Sequence, residues 1–247
     1  MGIGREAIKN AILDFGGKIL VFDDLERATI PLSDIMGLID SYLGRGSVRV
    51  IILANESEIT KERMPEYTKM KEKIVAKTLV VASEPAEVLS GILADLKSPF
   101  IQEFIQSHSE SIHATIIGSG IPNFRTLRAV VYDFERLLGI VDEVLVSVPS
   151  ALHNVLLCML AIGLEIRSGR RSLLDVAKIM PGHIARLMHS TSEKQKPEEI
   201  EILEHFEELY PHIDWRNTVI DPHKIGRFLT AGVIDVDEVN RDLRVNY

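Results

Sequence analysis

Lys18-Ile19-Leu20-Val21-Phe22-Asp23-Asp24-Leu25-Glu26-Arg27 is the stretch from which the rest of the chain is read. Its aliphatic and aromatic run, Ile19 to Phe22, fits a strand buried on both faces of a parallel sheet. The run stops at two adjacent carboxylates, which sets acids at the carboxyl edge of that strand, where open α/β sheets bind ligands. A carboxylate there holds Mg²⁺ directly or through water, because Mg²⁺ takes hard oxygen ligands and few of them from protein. A neighbouring acid can orient or deprotonate an attacking water. The same residues also fit an ordinary β–α turn in which Asp23 or Asp24 caps the helix that follows.

Further along, Ile30-Pro31-Leu32-Ser33 opens a helix whose apolar residues Ile35, Met36, Leu38, Ile39, Tyr42 and Leu43 recur at helical spacing. Gly44-Arg45-Gly46-Ser47 ends it, and Val48-Arg49-Val50-Ile51-Ile52-Leu53-Ala54 reads as a second buried strand ending in Asn55. A charge-rich segment, 56–73, leads to Ile74-Val75-Ala76-Lys77-Thr78-Leu79-Val80-Val81, which reads as a third strand. Residues 3–16 are expected to form a short helix that leads through Gly16-Gly17 into the first strand. Strand, helix, strand, helix, strand is the order of a parallel α/β sheet. Beyond residue 85 helical periodicity takes over, with helices expected near 85–96, 98–108, 123–138, 150–168, 172–179, 182–190 and 197–209. Three domains are expected: 1–83, 84–140 and 141–247. Ser192-Glu193-Lys194-Gln195-Lys196-Pro197 is the most linker-like stretch.

Composition narrows the function classes. The chain has 247 residues, 46% of them hydrophobic and 26% charged, enough for one large domain or two small ones. Its net charge of -8 argues against broad adhesion to DNA or to an anionic membrane. Arg167, Arg170 and Arg171 make one small basic group that suits phosphate or nucleic acid, or equally a helix C-terminus. Cys158 is the only cysteine, so no intrachain disulfide and no Cys-based zinc site exists. In Val155-Leu156-Leu157-Cys158-Met159-Leu160 it reads as a small buried thiol. The eight histidines carry no zinc-site spacing. With no signal peptide and no run of about 18 uncharged apolar residues, a cytoplasmic setting is expected.

The motifs Asp23-Asp24-Leu25-Glu26-Arg27, Leu53-Ala54-Asn55-Glu56, Lys71-Glu72-Lys73-Ile74 and Asn123-Phe124-Arg125-Thr126-Leu127-Arg128 occur in an order that resembles P-loop ATPases of the AAA+ and STAND type, in particular the KAP-like branch. The tail Asp221 to Asp235 resembles the terminal helical region of bacterial members. That resemblance implies an α/β fold: a partial parallel P-loop sheet followed by a helical lid and a C-terminal helical region. It implies ATP and Mg²⁺ as cofactors and an ATP-driven switch within a larger assembly, with a protein partner or with further copies of itself, in bacterial defence or signalling. Asp23 would bind Mg²⁺ as part of a Walker B strand, and Asp24 would be the catalytic acid. Asn55 would be sensor 1, beside the γ-phosphate or the lytic water. Arg125 and Arg128, three apart on one helix, would contact the nucleotide phosphates, for which a guanidinium fork is suited. Arg63, Lys73 or Lys77 would be the trans-acting cation.

One departure stands against an isolated ATPase. No Gly-x-x-x-x-Gly-Lys-Ser/Thr occurs, and too few residues precede Asp23 for that loop and its strand. The chain is then a fragment or split product, a nonenzymatic interaction module with a degenerate nucleotidase fold, or a subunit completed by a partner. In each case it binds ATP poorly alone.

Overall fold

The computed structural model describes residues 15, 17–44, 48–81, 84–120, 123–141, 143–189 and 196–246. The helix expected over 3–16 lies almost wholly outside them. Of the described residues, 66% are helical and 4% lie in strands, and the one sheet has two strands. This corrects the expected α/β class: the protein is largely helical, and two strands among the described residues do not support the partial P-loop sheet. The chain divides into two compact units, Met1–Val81 and Ala82–Tyr247.

In the first unit β1 (Ile19–Phe22), α1 (Leu32–Leu43), β2 (Arg49–Ile52) and α2 (Met64–Ile74) follow one another. The strands pair in parallel, with Ile19 opposite Arg49 and Phe22 opposite Ile52. A strand, a crossover helix and a parallel strand is the arrangement the sequence order predicts. Leu32, Ile35, Met36 and Ile39 of α1 are buried with Tyr67 of α2, and Phe22, Val50 and Ile52 of the strands pack on them. That accounts for one face. On the other, Ile19 and Val21 are each 56% exposed, and Ile51 and Leu53 each 46%. Burial on both faces was expected, yet alternate side chains point to opposite faces and, among the described residues, helices pack on only one of them.

The expected third strand is also absent. Met64, Tyr67, Met70 and Ile74 recur at helical spacing against the α1 core, and Pro65 sits in the first turn of α2, where it costs no hydrogen bond. The helix thereby takes in Ile74, and what remains pairs with no strand. Leu79, Val80 and Val81 are 86–88% exposed.

The second unit is helical throughout: α3 (Pro85–Ala94), α4 (Pro99–Ser107), α5 (Ser109–Gly118), α6 (Phe124–Leu138), α7 (Val144–Ser147), α8 (Pro149–Arg167), α9 (Leu173–Val176), α10 (Ile179–Met188), α11 (Glu198–Leu209), α12 (Pro222–Ala231) and α13 (Val236–Asn246). Its centre is α8, whose residues from Val155 to Glu165 are all buried. By length and composition α8 could also cross a membrane, and in this unit it is the core helix. On α6, Leu127, Val130, Val131, Phe134 and Leu137 form the buried stripe that packs on it. The two backbones approach closely because Gly163 has no Cβ: one there would lie 2.8 Å from the Val130 Cγ2. Residues 84–140 and 141–247, expected as separate domains, share one apolar cluster running from Leu89 to Leu243.

Candidate functional site

The parallel pairing brings the ends of β1 and β2 to one edge. Leu53 N–H donates to the Phe22 carbonyl at 2.8 Å, and Leu25 N–H donates to the Leu53 carbonyl at 3.3 Å. Asp23, Asp24 and Asn55 therefore share the carboxyl edge of two adjacent strands, as the sequence predicts, and all three are exposed. The strand beneath them is not interior: β1 and β2 are the whole sheet among the described residues.

The backbone turns sharply at this edge. Asp24 sits at φ 52, the only non-glycine residue with positive φ among the described residues. An L-residue pays roughly 1 kcal/mol there, and Asp is among the few that tolerate it. Asp24 N–H donates to Asp23 Oδ1 at 2.9 Å, and the Asp24 carboxylate lies 3.5 Å from the Arg27 guanidinium. Asp24 begins the short 3-10 turn Leu25–Arg27, but its side chain makes no capping bond. Asn55 does cap: its Oδ1 accepts from Ser57 N–H at 3.3 Å and from the Ser57 hydroxyl at 2.7 Å, closing the turn Glu56–Glu58.

Below the edge lies a polar brace. Asn55 N–H donates to Glu26 Oε2 at 3.1 Å. Arg63 donates to the carbonyls of Glu26 and Ile30 at 3.2 and 3.3 Å. Glu56 accepts from Lys71 at 2.5 Å and from the Tyr67 hydroxyl at 2.8 Å, and these bonds, Lys71 first, hold its carboxyl below the usual range. Lys73 pairs with Asp40 at 3.3 Å. Arg63 and Lys73, two of the three residues expected as trans-acting cations, thus tie this unit together internally.

A hydrated Mg²⁺ needs only one or two protein oxygens, which the exposed Asp23 carboxylate would supply beside its bond from Asp24 N–H. A triphosphate is a poorer match. Among the described residues no group of three or more His, Cys, Asp or Glu is placed to hold a metal ion, and no loop of backbone amides with a lysine stands at this edge.

Arg125 and Arg128 belong to the second unit, on the solvent side of α6. Asn123 caps that helix, its Oδ1 accepting from Thr126 N–H at 3.1 Å. Arg128 donates to Asp95 at 3.2 Å and to the Tyr132 hydroxyl at 3.3 Å. Cys158 is fully buried, and burial pushes its thiol up. In the basic group, Arg170 turns inward and Arg167 lies 4.0 Å from Asp133.

Two polar clusters in this unit escaped the sequence reading. Glu165 is completely buried on α8. It accepts from Arg170 at 2.5 Å and the Tyr210 hydroxyl at 2.6 Å, and His205 Nε2 lies 3.0 Å away. Arg170 also donates to the Ser119 carbonyl at 2.7 Å. A lone Glu inside the apolar run of α8 was the available signal. The second cluster gathers three histidines. The His108 and His153 rings are 4.2 Å apart, His153 Nε2 lies 2.8 Å from the Ser111 hydroxyl, and His212 Nε2 lies 2.7 Å from the Thr115 hydroxyl. Burial, then the neighbouring His108 and His212, lower the His153 pKa, and burial lowers that of His212. Spacings of 45 and 59 residues hid this grouping.

No family model, no curated protein and no solved structure matches the chain.

Proposed function

We propose that the chain is a subunit of a larger assembly, and that its N-terminal unit docks the sheet of another polypeptide. The observation that carries this is the uncovered side of β1–β2, where Ile19, Val21, Ile51 and Leu53 are about half exposed. Parallel sheets are almost always covered on both faces, and burying apolar surface is worth roughly 25 cal/mol per Å². Contiguous exposed aliphatics of this kind mark interaction surfaces. A photo-crosslinking residue placed at Ile51 in the producing cells forms adducts with a polypeptide, whereas the same residue at exposed Ser41 on α1 does not. Equal behaviour at the two positions rejects the proposal.

A second reading concerns the acid edge and uses the residues of the N-terminal unit alone. The shared strand ends of Asp23, Asp24 and Asn55, with Asp24 held in the left-handed region, favour a hydrated divalent cation carrying a phosphorylated ligand such as ATP. Asp23 would hold the cation through water and Asp24 would orient a water molecule, the phosphate cradle coming from another chain. Mn²⁺ is the probe. Paramagnetic broadening confined to amides of residues 23–26 and 55, lost in Asp23→Asn, supports this reading. Uniform broadening, or none, overturns it.

A further inference from the structure

The uncovered face has a direction. Counting alternate residues, one line of side chains runs Ile19, Val21, Asp23 and the adjacent line runs Arg49, Ile51, Leu53. All six are exposed. A cation therefore marks the amino end of the face, a carboxylate marks the carboxyl end, and four aliphatic side chains lie between. At about 3.3 Å per residue the two ends are separated by roughly 13 Å.

Such a face is complementary to itself. Two copies stacked face to face and antiparallel are related by a twofold axis in the plane between the sheets, running across the strands. That operation lays the central pair Val21 and Ile51 of one copy on the same pair of the other. It brings Arg49 of each copy over Leu53 of the other, one strand spacing of about 4.8 Å to the side of Asp23. An arginine side chain spans that offset, and both ends of the contact are satisfied at once, as an isologous interface requires. A parallel stack would instead set like charges level with one another.

We propose that the outer face of β1–β2 docks on the same face of a second copy, antiparallel, with Arg49 of each copy paired to Asp23 of the other. This rests on the assembly reading and names its occupant. The face is two strands wide, well short of the roughly 800 Å² per partner of a standard stable interface. The dimer is accordingly weak, reversible and dependent on concentration.

Sedimentation velocity over a concentration series reaching about 1 mM tests this on the full chain, at a range where a contact with micromolar to millimolar Kd is populated. The weight-average mass rises from one chain towards two. Val21→Lys, at an exposed position, weakens association at least tenfold, with helical circular dichroism confirming the fold. Arg49→Asp alone also weakens it, and Arg49→Asp combined with Asp23→Arg restores it, which a merely unfolded variant cannot do. A mass of one chain throughout, a dimer indifferent to Val21→Lys, or a charge swap that fails to rescue overturns the self-docking. Crosslinks from Ile51 to a different polypeptide alongside a monomeric chain overturn it while leaving the assembly reading intact. Equal crosslinking at Ile51 and Ser41 removes the assembly reading as well.

Discussion

The two units solve the burial problem differently. In the C-terminal unit α8 is wrapped by α5, α6, α7 and α12, and Val155 to Glu165 leave no side of the helix to solvent. In the N-terminal unit the strands bury alternate residues against α1 and α2 and show the others to water. Hydrophobic stabilisation scales with the area removed from water. The helical unit therefore carries its stability within itself, and the strand unit has apolar surface left over for another molecule. The contrast extends to the charges. Glu165 of the helical unit is sealed in with three hydrogen-bond partners, whereas Asp23 and Asp24 stand in solvent.

The largest effect comes from breaking that sealed carboxylate. Glu165→Ala leaves Arg170 and the Tyr210 hydroxyl without their buried acceptor, and removing one partner of a buried ionic group costs about 3–5 kcal/mol. Trp215 is the chain's only tryptophan and is buried in the same unit, so its fluorescence reports urea unfolding of this unit. The expected result is a midpoint displaced by that amount. A displacement under about 1 kcal/mol would mean that water replaces the carboxylate without difficulty.

Next comes the small core of the other unit. Ile39 is completely buried on α1, and Ile→Ala in such a place costs about 2–4 kcal/mol. In a core with one covered face this is a large share of what holds the unit together. Hydrogen exchange of the β1 and β2 amides should lose most of its protection in Ile39→Ala. Retained protection would show that the strand unit is stabilised by something other than the α1 face, and the contrast drawn above would fail.

These experiments bear on what was legible in the residues. Helical spacing identified α1, α6 and α8, because a periodicity of about 3.6 residues survives whatever the tertiary partners are. Parallel pairing of the first two strands was legible from their order, and with it the meeting of Asp23 and Asn55 at one edge. The bare face was not. In Ile19-Leu20-Val21-Phe22 every residue is apolar, and such a run is identical whether one face or both are covered. Val75 to Val81 has the composition of a strand but no strand edge to join, so tertiary context outweighs propensity. Helix α5 was missed because Ser109, Ser111 and Thr115 weaken its helical pattern. Arg125 and Arg128 were read by resemblance as phosphate ligands; Arg128 is held by Asp95 and Tyr132.

A smaller effect separates the units by pH. His153 and His212, both in the helical unit, have pKa values lowered from 6.5 by burial. The folded state thus resists a proton that the unfolded chain accepts once pH falls through 6.5. Stability from the neutral rings is complete above 6.5 and is lost as pH drops from there towards the lower folded values. The Trp215 urea midpoint should be flat between about pH 7 and 8 and fall towards about pH 5. His153→Gln should shallow that fall. Ser111 and Thr115 face the rings as hydroxyls, and among the described residues no carboxylate is in hydrogen-bond contact with either ring. An unchanged slope in His153→Gln would take the acid sensitivity away from His153 and leave it with His212.

The finest distinction lies at Asn55, where the strand unit offers two uses for one side chain. As a cap, Asn55 satisfies Ser57 N–H through its oxygen, and Asn55→Ala should cost the unit about 1 kcal/mol. Asn55→Asp keeps that oxygen and should leave stability nearly unchanged, since Asn and Asp cap equally well. As a ligand to phosphate the side chain behaves otherwise: a carboxylate beside Asp23 and Asp24 repels an anion, so Asn55→Asp should weaken ATP retention by the chain joined to the partner that supplies the phosphate cradle, while sparing the fold. Protection of the Ser57 amide together with ATP retention by that complex separates the two. If Asn55→Asp alters neither, the residue is a cap and nothing more, and the acid edge loses the neutral group that would have faced the phosphate.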